Sequence, residues 1–129
     1  MSKPKLKSGL ESKVFEQLKT KKVEFAYEGI RIKYIKKPST YTPDFPLSNG
    51  VIIETKGRFL SSDRTKHLLI KEQHPELDIR FVFSNSSAYL SKKSKTTYAD
   101  WCTRYGFKYA DKVVPEEWYS NVEINSIPG

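Results

Sequence analysis

Apolar residues recur at helical spacing near the start of the chain. Leu10, Val14 and Leu18 lie four residues apart and therefore share one helical face. Ser8 precedes them as a possible N-cap, and the run Lys19 to Lys22 follows where the helix dipole favours positive charge. The pattern predicts a first helix between these two signals.

Alternating apolar positions then predict strands. Val23, Phe25 and Tyr27 alternate on odd numbers, and beyond Gly29 the alternation continues on even numbers. This change of phase predicts a bulge or a tight turn at the glycine. A short extended link, Lys36–Thr40, is predicted to follow.

The next two strands are joined through Asn49-Gly50, the strongest short hairpin signal. A two-residue loop at this pair would place Asp44 opposite Thr55. A three-residue loop would place Asp44 opposite Glu54, with the glycine in the left-handed conformation that such loops favour. The register therefore decides whether the two carboxylates meet.

The second half of the chain predicts two longer helices around another strand. Ser61 begins the second helix, which Pro75 stops. The strand Leu77–Phe83 follows, and a third helix runs from its cap at Thr97 to Gly106. A short edge strand and a short last helix complete the order. This order predicts an α/β fold with a mixed central β-sheet flanked by helices.

The 129 residues suit one folded domain. We expect that domain at residues 8–118, between a flexible basic arm at residues 1–7 and a C-terminal tail at residues 119–129. Apolar runs of three to four residues predict no membrane span. The single cysteine, Cys102, permits no intrachain disulfide, which favours a reducing compartment, and it is expected in the core.

The net charge of +8 is unevenly distributed along the chain. Residues 1–40 hold eleven lysines and arginines against four acidic residues, and residues 91–112 hold six against two. Residues 41–90 are balanced. A nucleic-acid partner and simple solubility both explain this distribution.

Glu54 and Lys56 end an apolar strand and share one face, because residues two apart in a strand point the same way. Two interpretations are open. Asp44 caps a turn while the other two residues end in solvent, or the two carboxylates and the lysine form a site. Carboxylates about 5 Å apart repel each other unless a cation lies between them, and oxygen ligands suit Mg²⁺ or Mn²⁺. The preceding Pro43 and the basic flanks favour the site.

Pro43-Asp44 followed by Glu54-Thr55-Lys56 resembles the signature of the PD-(D/E)XK nuclease superfamily. The resemblance extends to the phage endonuclease I family of Holliday-junction resolvases, from about Ser8 to Trp118. It is carried by the stretches SGLESKV, YTPDF, ETKG, KHLLIKEQHPELDIRFVFS and ADKVVPEEW. The resemblance implies a restriction-endonuclease-like fold and a structure-selective, metal-dependent endodeoxyribonuclease. Such an enzyme would cut branched DNA during phage recombination in the cytoplasm of the infected bacterial host.

The same resemblance assigns roles to residues. Asp44 would bridge two metal ions, Mg²⁺ or Mn²⁺. Glu54 and the carbonyl of Thr55 would be further ligands, and Lys56 would lie beside the attacking water. Glu11 matches a glutamate near the second metal.

Three features qualify this resemblance. Ser8-x-x-Glu11 is also a capping box, so both interpretations of Glu11 stay open. The family carries a further glutamate where this chain has Ala26, and no role is given to that position. The C-terminal tail lacks the positive charge of the family.

The resemblance also implies a symmetric homodimer on branched DNA, with segments exchanged across a bridge matched to Lys36–Tyr41. Glu11 of one chain would then act with Asp44 of the other. Basic residues expected to contact DNA are Lys5, Lys7, Lys92, Lys93, Lys95 and Arg104.

Two alternatives to a resolvase remain. A non-catalytic binder of branched DNA would use the carboxylates only structurally. A sequence-specific duplex endonuclease of the same superfamily would keep the site and read another substrate.

His67 and His74 lie seven residues apart on one helix, and no third ligand accompanies them as a metal site. We expect surface or helix-end positions for both.

Overall fold

The computed structural model describes Leu6, residues 8–35 and residues 38–121. The elements in chain order are α1 (Gly9–Thr20), β1 (Ile32–Ile35), β2 (Pro38–Tyr41), β3 (Phe45–Pro46), β4 (Val51–Lys56), α2 (Ser61–Gln73), β5 (Asp78–Phe83), α3 (Tyr98–Tyr105), β6 (Lys108–Asp111) and the 3-10 turn Glu116–Trp118. The central sheet has the order β3-β4-β5-β6. Strand β4 is antiparallel to β3 and parallel to β5, which is parallel to β6. The predicted mixed α/β fold is confirmed.

Side chains of the sheet alternate between two apolar cores. On one face, Val51 and Ile53 pack in a core that includes the buried side of α1. On the other face, Ile52 packs in a core with residues of α2 and α3. Burying both faces explains why β4 is almost continuously apolar up to Ile53.

The hairpin between β3 and β4 has the three-residue loop. Phe45 pairs with Ile53, so the next pair outward sets Asp44 opposite Glu54. Gly50 adopts a φ of 91°, in the left-handed region. The register that brings the two carboxylates together is therefore confirmed.

The predicted helix ends are also confirmed. The Ser8 side chain accepts from the Glu11 N–H at 3.0 Å, and Thr97 caps α3 in the same way. Gly106 ends α3 with a φ of 76°, and α2 stops one residue before His74, ahead of the proline.

The predicted strand from Val23 to Tyr27 is wrong as a regular element, but its alternation is confirmed, because Val23, Phe25 and Tyr27 all pack in the core that contains α1. This segment runs beside β3, and an isolated bridge joins Phe25 to Leu47. Pro46 lies in β3 and has no N–H to donate, so a continuous ladder cannot form there. The predicted turn at Gly29 is confirmed, since its N–H donates to the Ala26 carbonyl at 3.1 Å.

The predicted link is extended where the structure describes it, but it is not a mere link, because Pro38–Tyr41 is a paired strand. It forms an antiparallel hairpin with β1, and Tyr41 pairs with Ile32. Lys36 and Lys37 lie outside the described residues.

Of the predicted basic arm, the structure describes only Leu6. Residues 122–129 of the predicted tail also lie outside the described residues. Within the described ranges, no helix is both long enough and apolar enough to cross a membrane. Cys102 is fully buried in the core, as predicted.

Candidate active site

Asp44 and Glu54 are joined where β3 and β4 diverge. The Asp44 N–H donates to Oε2 of Glu54 at 2.7 Å. In return, Oδ2 of Asp44 accepts from the backbone N–H and the hydroxyl of Thr55, each at 3.0 Å. Side-chain carboxylates thus continue the ladder that backbone carbonyls would otherwise make. Both carboxylates are buried, at 6% and 2% exposure.

Two further carboxylates approach Asp44 from the N-terminal part of the chain. Glu11 projects from the first turn of α1 and accepts a hydrogen bond from the Tyr27 hydroxyl. Glu28 lies in the turn before Gly29, and its N–H donates to the Asp44 carbonyl at 3.1 Å. One carboxylate oxygen from each of Glu11, Glu28 and Asp44 lies within 4.8 Å of the others. These three carboxylates form what we call the acidic cluster.

The backbone at Glu28 is held in an unusual conformation. Its φ is 50°, which non-glycine residues seldom adopt. A Cβ atom on the next residue, Gly29, would lie 2.3 Å from the Cβ of Ala26, so only glycine fits there. The tight turn therefore fixes the direction of the Glu28 side chain, and strained positions of this kind are concentrated at functional sites.

The start of α2 supplies the other wall of the site. Nζ of Lys56 lies 3.3 Å from Oδ1 of Asp63, whose other oxygen accepts from the Leu60 N–H at the helix start. Nε2 of His67 lies 3.6 Å from Oε1 of Glu54. The Lys66 ammonium lies over the Tyr41 ring, 5.4 Å from its centroid.

The electrostatics of the site favour binding of positive charge. Burial, followed by the nearby Glu54 charge, raises the pKa of Asp44 to about 7. Burial also raises the pKa of Glu54, although Lys56 opposes this. Desolvation, with Lys56 adding to it, lowers the pKa of Lys66. The carboxylates thus bear an electrostatic penalty that a bound cation would remove.

This penalty predicts how stability depends on pH in the metal-free protein. The pKa of Asp44 is about 7 in the folded protein, against 3.8 for an unperturbed carboxyl. The folded state therefore binds the Asp44 proton more tightly than the unfolded state does. The stability gained from this proton is full below pH 3.8 and is lost as the pH rises through 7. We expect Asp44→Asn to raise the free energy of unfolding by a few kcal/mol at pH 8, about 1.4 kcal/mol for each pKa unit. At pH 4.5 the gain should be much smaller.

Urea unfolding in EDTA at the two pH values measures this difference. The matched control is Glu72→Gln, which removes one exposed carboxylate from α2. An equal effect of Asp44→Asn at pH 4.5 and pH 8 would contradict the assigned pKa shift.

The structure brings most of the predicted site residues together. Glu11, Asp44 and Glu54 converge, the backbone of Thr55 contacts Asp44, and Lys56 ends the same strand. For the residues expected to contact DNA, the structure shows only whether the side chain is exposed. Lys5 and Lys7 lie outside the described residues, whereas Lys92, Lys93, Lys95 and Arg104 are exposed.

Sequence reasoning missed three residues at the site. Glu28 carries no motif, and only the phase change at Gly29 marked its turn. Asp63 lies two residues after Ser61, the predicted start of the second helix, and was given no role at the site. His67 was expected at the surface or a helix end, which is wrong because its side chain is fully buried. Its spacing of three residues from buried Ile70 was the available signal.

His74 occupies the predicted helix-end position as the C-cap of α2. Its ring nitrogen bonds to the Lys33 carbonyl of β1, which ties the β1–β2 hairpin to that helix.

Grouped carboxylates beside a lysine are the arrangement with which nucleases hold divalent cations at a phosphodiester. The fold and the site therefore indicate a nuclease. Comparison with known proteins identifies the family of nucleases. The chain matches the family described as Phage endonuclease I over residues 2–128.

Two phage proteins are similar to this chain. It is 54% identical to "Endonuclease I" of Escherichia phage T7 over 114 residues, which cover 87% of this chain and 76% of the relative. It is 56% identical to "Endodeoxyribonuclease 1" of Enterobacteria phage T3 over 111 residues, 84% of this chain and 73% of the relative. The chain belongs to the phage endonuclease I family, which confirms the predicted family and the predicted enzyme class, an endonuclease.

Proposed function

We propose that this chain is a structure-selective, metal-dependent DNA endonuclease of the PD-(D/E)XK type that resolves four-way junctions. The observation that carries the proposal is the acidic cluster next to Glu54 and Lys56. Family membership and the relatives' names, which specify an endonuclease and an endodeoxyribonuclease, support DNA as the substrate.

The residues present fit divalent cations. The donor set consists of oxygen atoms, which Mg²⁺ and Mn²⁺ prefer. Burial, followed by the Glu54 charge, raises the pKa of Asp44, and a bound cation would offset this penalty. Asp44, Glu54 and the Thr55 carbonyl would hold one ion. Glu11 and Glu28 would share Asp44 for a second.

Glu28 fits the departure seen in the sequence. Ala26 stands where the family carries a glutamate, and Glu28 is the carboxylate that this chain places beside Asp44 instead. When bound, the two cations would supply the positive charge that activates water and stabilises a phosphate transition state.

The protein groups would orient the reaction. Lys56 ends β4 beside Glu54, where its ammonium can orient the attacking water or neutralise charge developing on the phosphate. Asp63 holds that ammonium from the start of α2. The product would carry a 5′ phosphate, as the resemblance implies.

Binding of branched DNA would depend on the basic surfaces. Contacts with phosphates fix the position of a protein on DNA and weaken with salt. We assign such contacts to the arm that precedes the domain at residues 8–118 and to the C-terminal part of that domain. The residues concerned are Lys5 and Lys7 in the arm at residues 1–7, and Lys92, Lys93, Lys95 and Arg104. The tail at residues 119–129 carries no positive charge and is given no role in DNA binding.

A symmetric homodimer would match the two-fold symmetry of a four-way junction. We propose that its chains exchange the segment before β2, through the region Lys36–Tyr41. Contacts of α1 with later residues, such as the two hydrogen bonds between the Gln17 side chain and the Val114 backbone, can be made equally well across two chains. The site of action would be the cytoplasm of the infected bacterial host.

Incubation with a four-way junction and a matched linear duplex, with and without Mg²⁺, tests the proposal. We expect paired cuts near the branch point, only with Mg²⁺ and far more slowly in the duplex. Junction binding without Mg²⁺-dependent cleavage would favour a non-catalytic binder. A fixed cut in linear duplex, indifferent to branching, would favour a sequence-specific enzyme of the same superfamily.

A further inference from the structure

His67 is a polar side chain that is fully buried. It lies in α2 with 0% exposure, and neither ring nitrogen has a hydrogen-bond partner among the described residues. Leaving a buried donor unsatisfied costs about 1 to 3 kcal/mol. An apolar residue would avoid this cost, so packing alone does not account for a histidine here.

The ring is fixed in one direction. It packs edge to face against Tyr41 at 5.3 Å and against Phe81 at 4.9 Å between centroids. In this orientation Nε2 lies 3.6 Å from Oε1 of Glu54, slightly beyond hydrogen-bond length. Four charged side chains interact electrostatically with the His67 ring: Glu54, Asp63, Lys56 and Lys66.

The second buried group behind Glu54 is the Tyr41 hydroxyl. It lies near the Glu54 carboxylate without meeting hydrogen-bond geometry, and the tyrosine is 1% exposed. On the opposite side, Oε2 of Glu54 accepts from the Asp44 N–H. The His67 ring and the Tyr41 hydroxyl therefore lie behind Glu54 without a hydrogen-bond partner among the described residues. His67 faces Oε1 of Glu54, the oxygen that the Asp44 N–H does not bind.

We propose that His67 is a positioning residue that holds Glu54 for metal binding, with Tyr41 assisting it. A neutral imidazole carries one N–H, and a shift of Glu54 by a few tenths of an ångström would bring Oε1 within reach of Nε2–H. The proposal rests on the metal role of Glu54 in the proposed function. Groups that hydrogen-bond a metal ligand fix its orientation, and their removal weakens metal affinity about 10- to 100-fold.

Binding of Mn²⁺ to the full-length protein, measured calorimetrically without DNA, separates this role from packing. His67→Leu should weaken Mn²⁺ binding about 10- to 100-fold while the thermal midpoint in EDTA stays equal or rises. His67→Gln, which retains an N–H at the same reach, should bind nearly as wild type. Tyr41→Phe keeps the ring and should weaken binding by a few-fold. Ile70→Val is the control, since it alters the same helix face without a polar group.

The outcomes are distinct. If wild type binds Mn²⁺ and His67→Leu binds it equally well, the positioning role is excluded. Equal losses in His67→Gln and His67→Leu would likewise exclude a hydrogen bond and indicate packing. If wild type itself fails to bind Mn²⁺, the proposed metal site is wrong. Should His67→Leu fail to fold, Tyr41→Phe decides the question, because wild-type affinity in that variant would overturn the proposal.

Discussion

Glu54→Gln is expected to abolish junction cleavage while junction binding persists. The amide keeps the size of the side chain but is a much poorer ligand for a divalent cation than the carboxylate. Loss of several kcal/mol of metal-derived stabilisation corresponds to a rate at least about a thousandfold lower. Affinity should be equal or tighter, because a negative charge facing phosphate is removed.

Single-turnover cleavage of a four-way junction in Mg²⁺ measures the rate, and a gel-shift titration in Ca²⁺ measures binding. Asp44→Asn should give the same pair of results, since Asp44 is shared by both proposed ions. Glu72→Gln removes an equal charge from an exposed position and should cleave normally. Cleavage by Glu54→Gln near the wild-type rate would refute the assigned metal site.

The part of the site that sequence predicts well is local. Asn49-Gly50 limits the hairpin to two registers, and either register can be followed to the position opposite Asp44. The strand period then places Glu54 and Lys56 on one face. These conclusions need only neighbouring residues, and the observed pairing of Phe45 with Ile53 agrees with one of the two.

The parts that could not be predicted depend on tertiary packing. Glu28 reaches the acidic cluster because a turn closes over Ala26, a contact that no periodic pattern encodes. His67 is buried because α2 lies on the sheet at that point, whereas a polar residue on a helix is usually exposed. The failed strand before Gly29 has the same origin, since its partner strand contains Pro46.

Segment exchange would change which chain completes each active site. Glu11 and Glu28 precede the β1–β2 hairpin, whereas Asp44, Glu54 and Lys56 follow it. Opening the hairpin would therefore transfer the first two carboxylates together to the partner chain. The acidic cluster would keep its composition but come from two chains.

A heterodimer of Glu11→Ala and Asp44→Ala chains tests this arrangement. With exchange, one site collects both substitutions and the other collects none, so one strand of a cruciform plasmid should be nicked. Co-expression with two different C-terminal tags yields the heterodimer, and the nicked circle is resolved on an agarose gel. Without exchange each site holds one lesion, and the plasmid stays supercoiled.

The reciprocal heterodimer supplies the control, because it reverses the expectation with the same two substitutions. One chain carries both Glu11→Ala and Asp44→Ala, and the other is wild type. With exchange each site then lacks one carboxylate and cleavage should be lost, whereas without exchange the wild-type chain retains a complete site and nicks. Activity in the reciprocal heterodimer, combined with an inactive first heterodimer that still binds the junction, would show that each chain builds its own site.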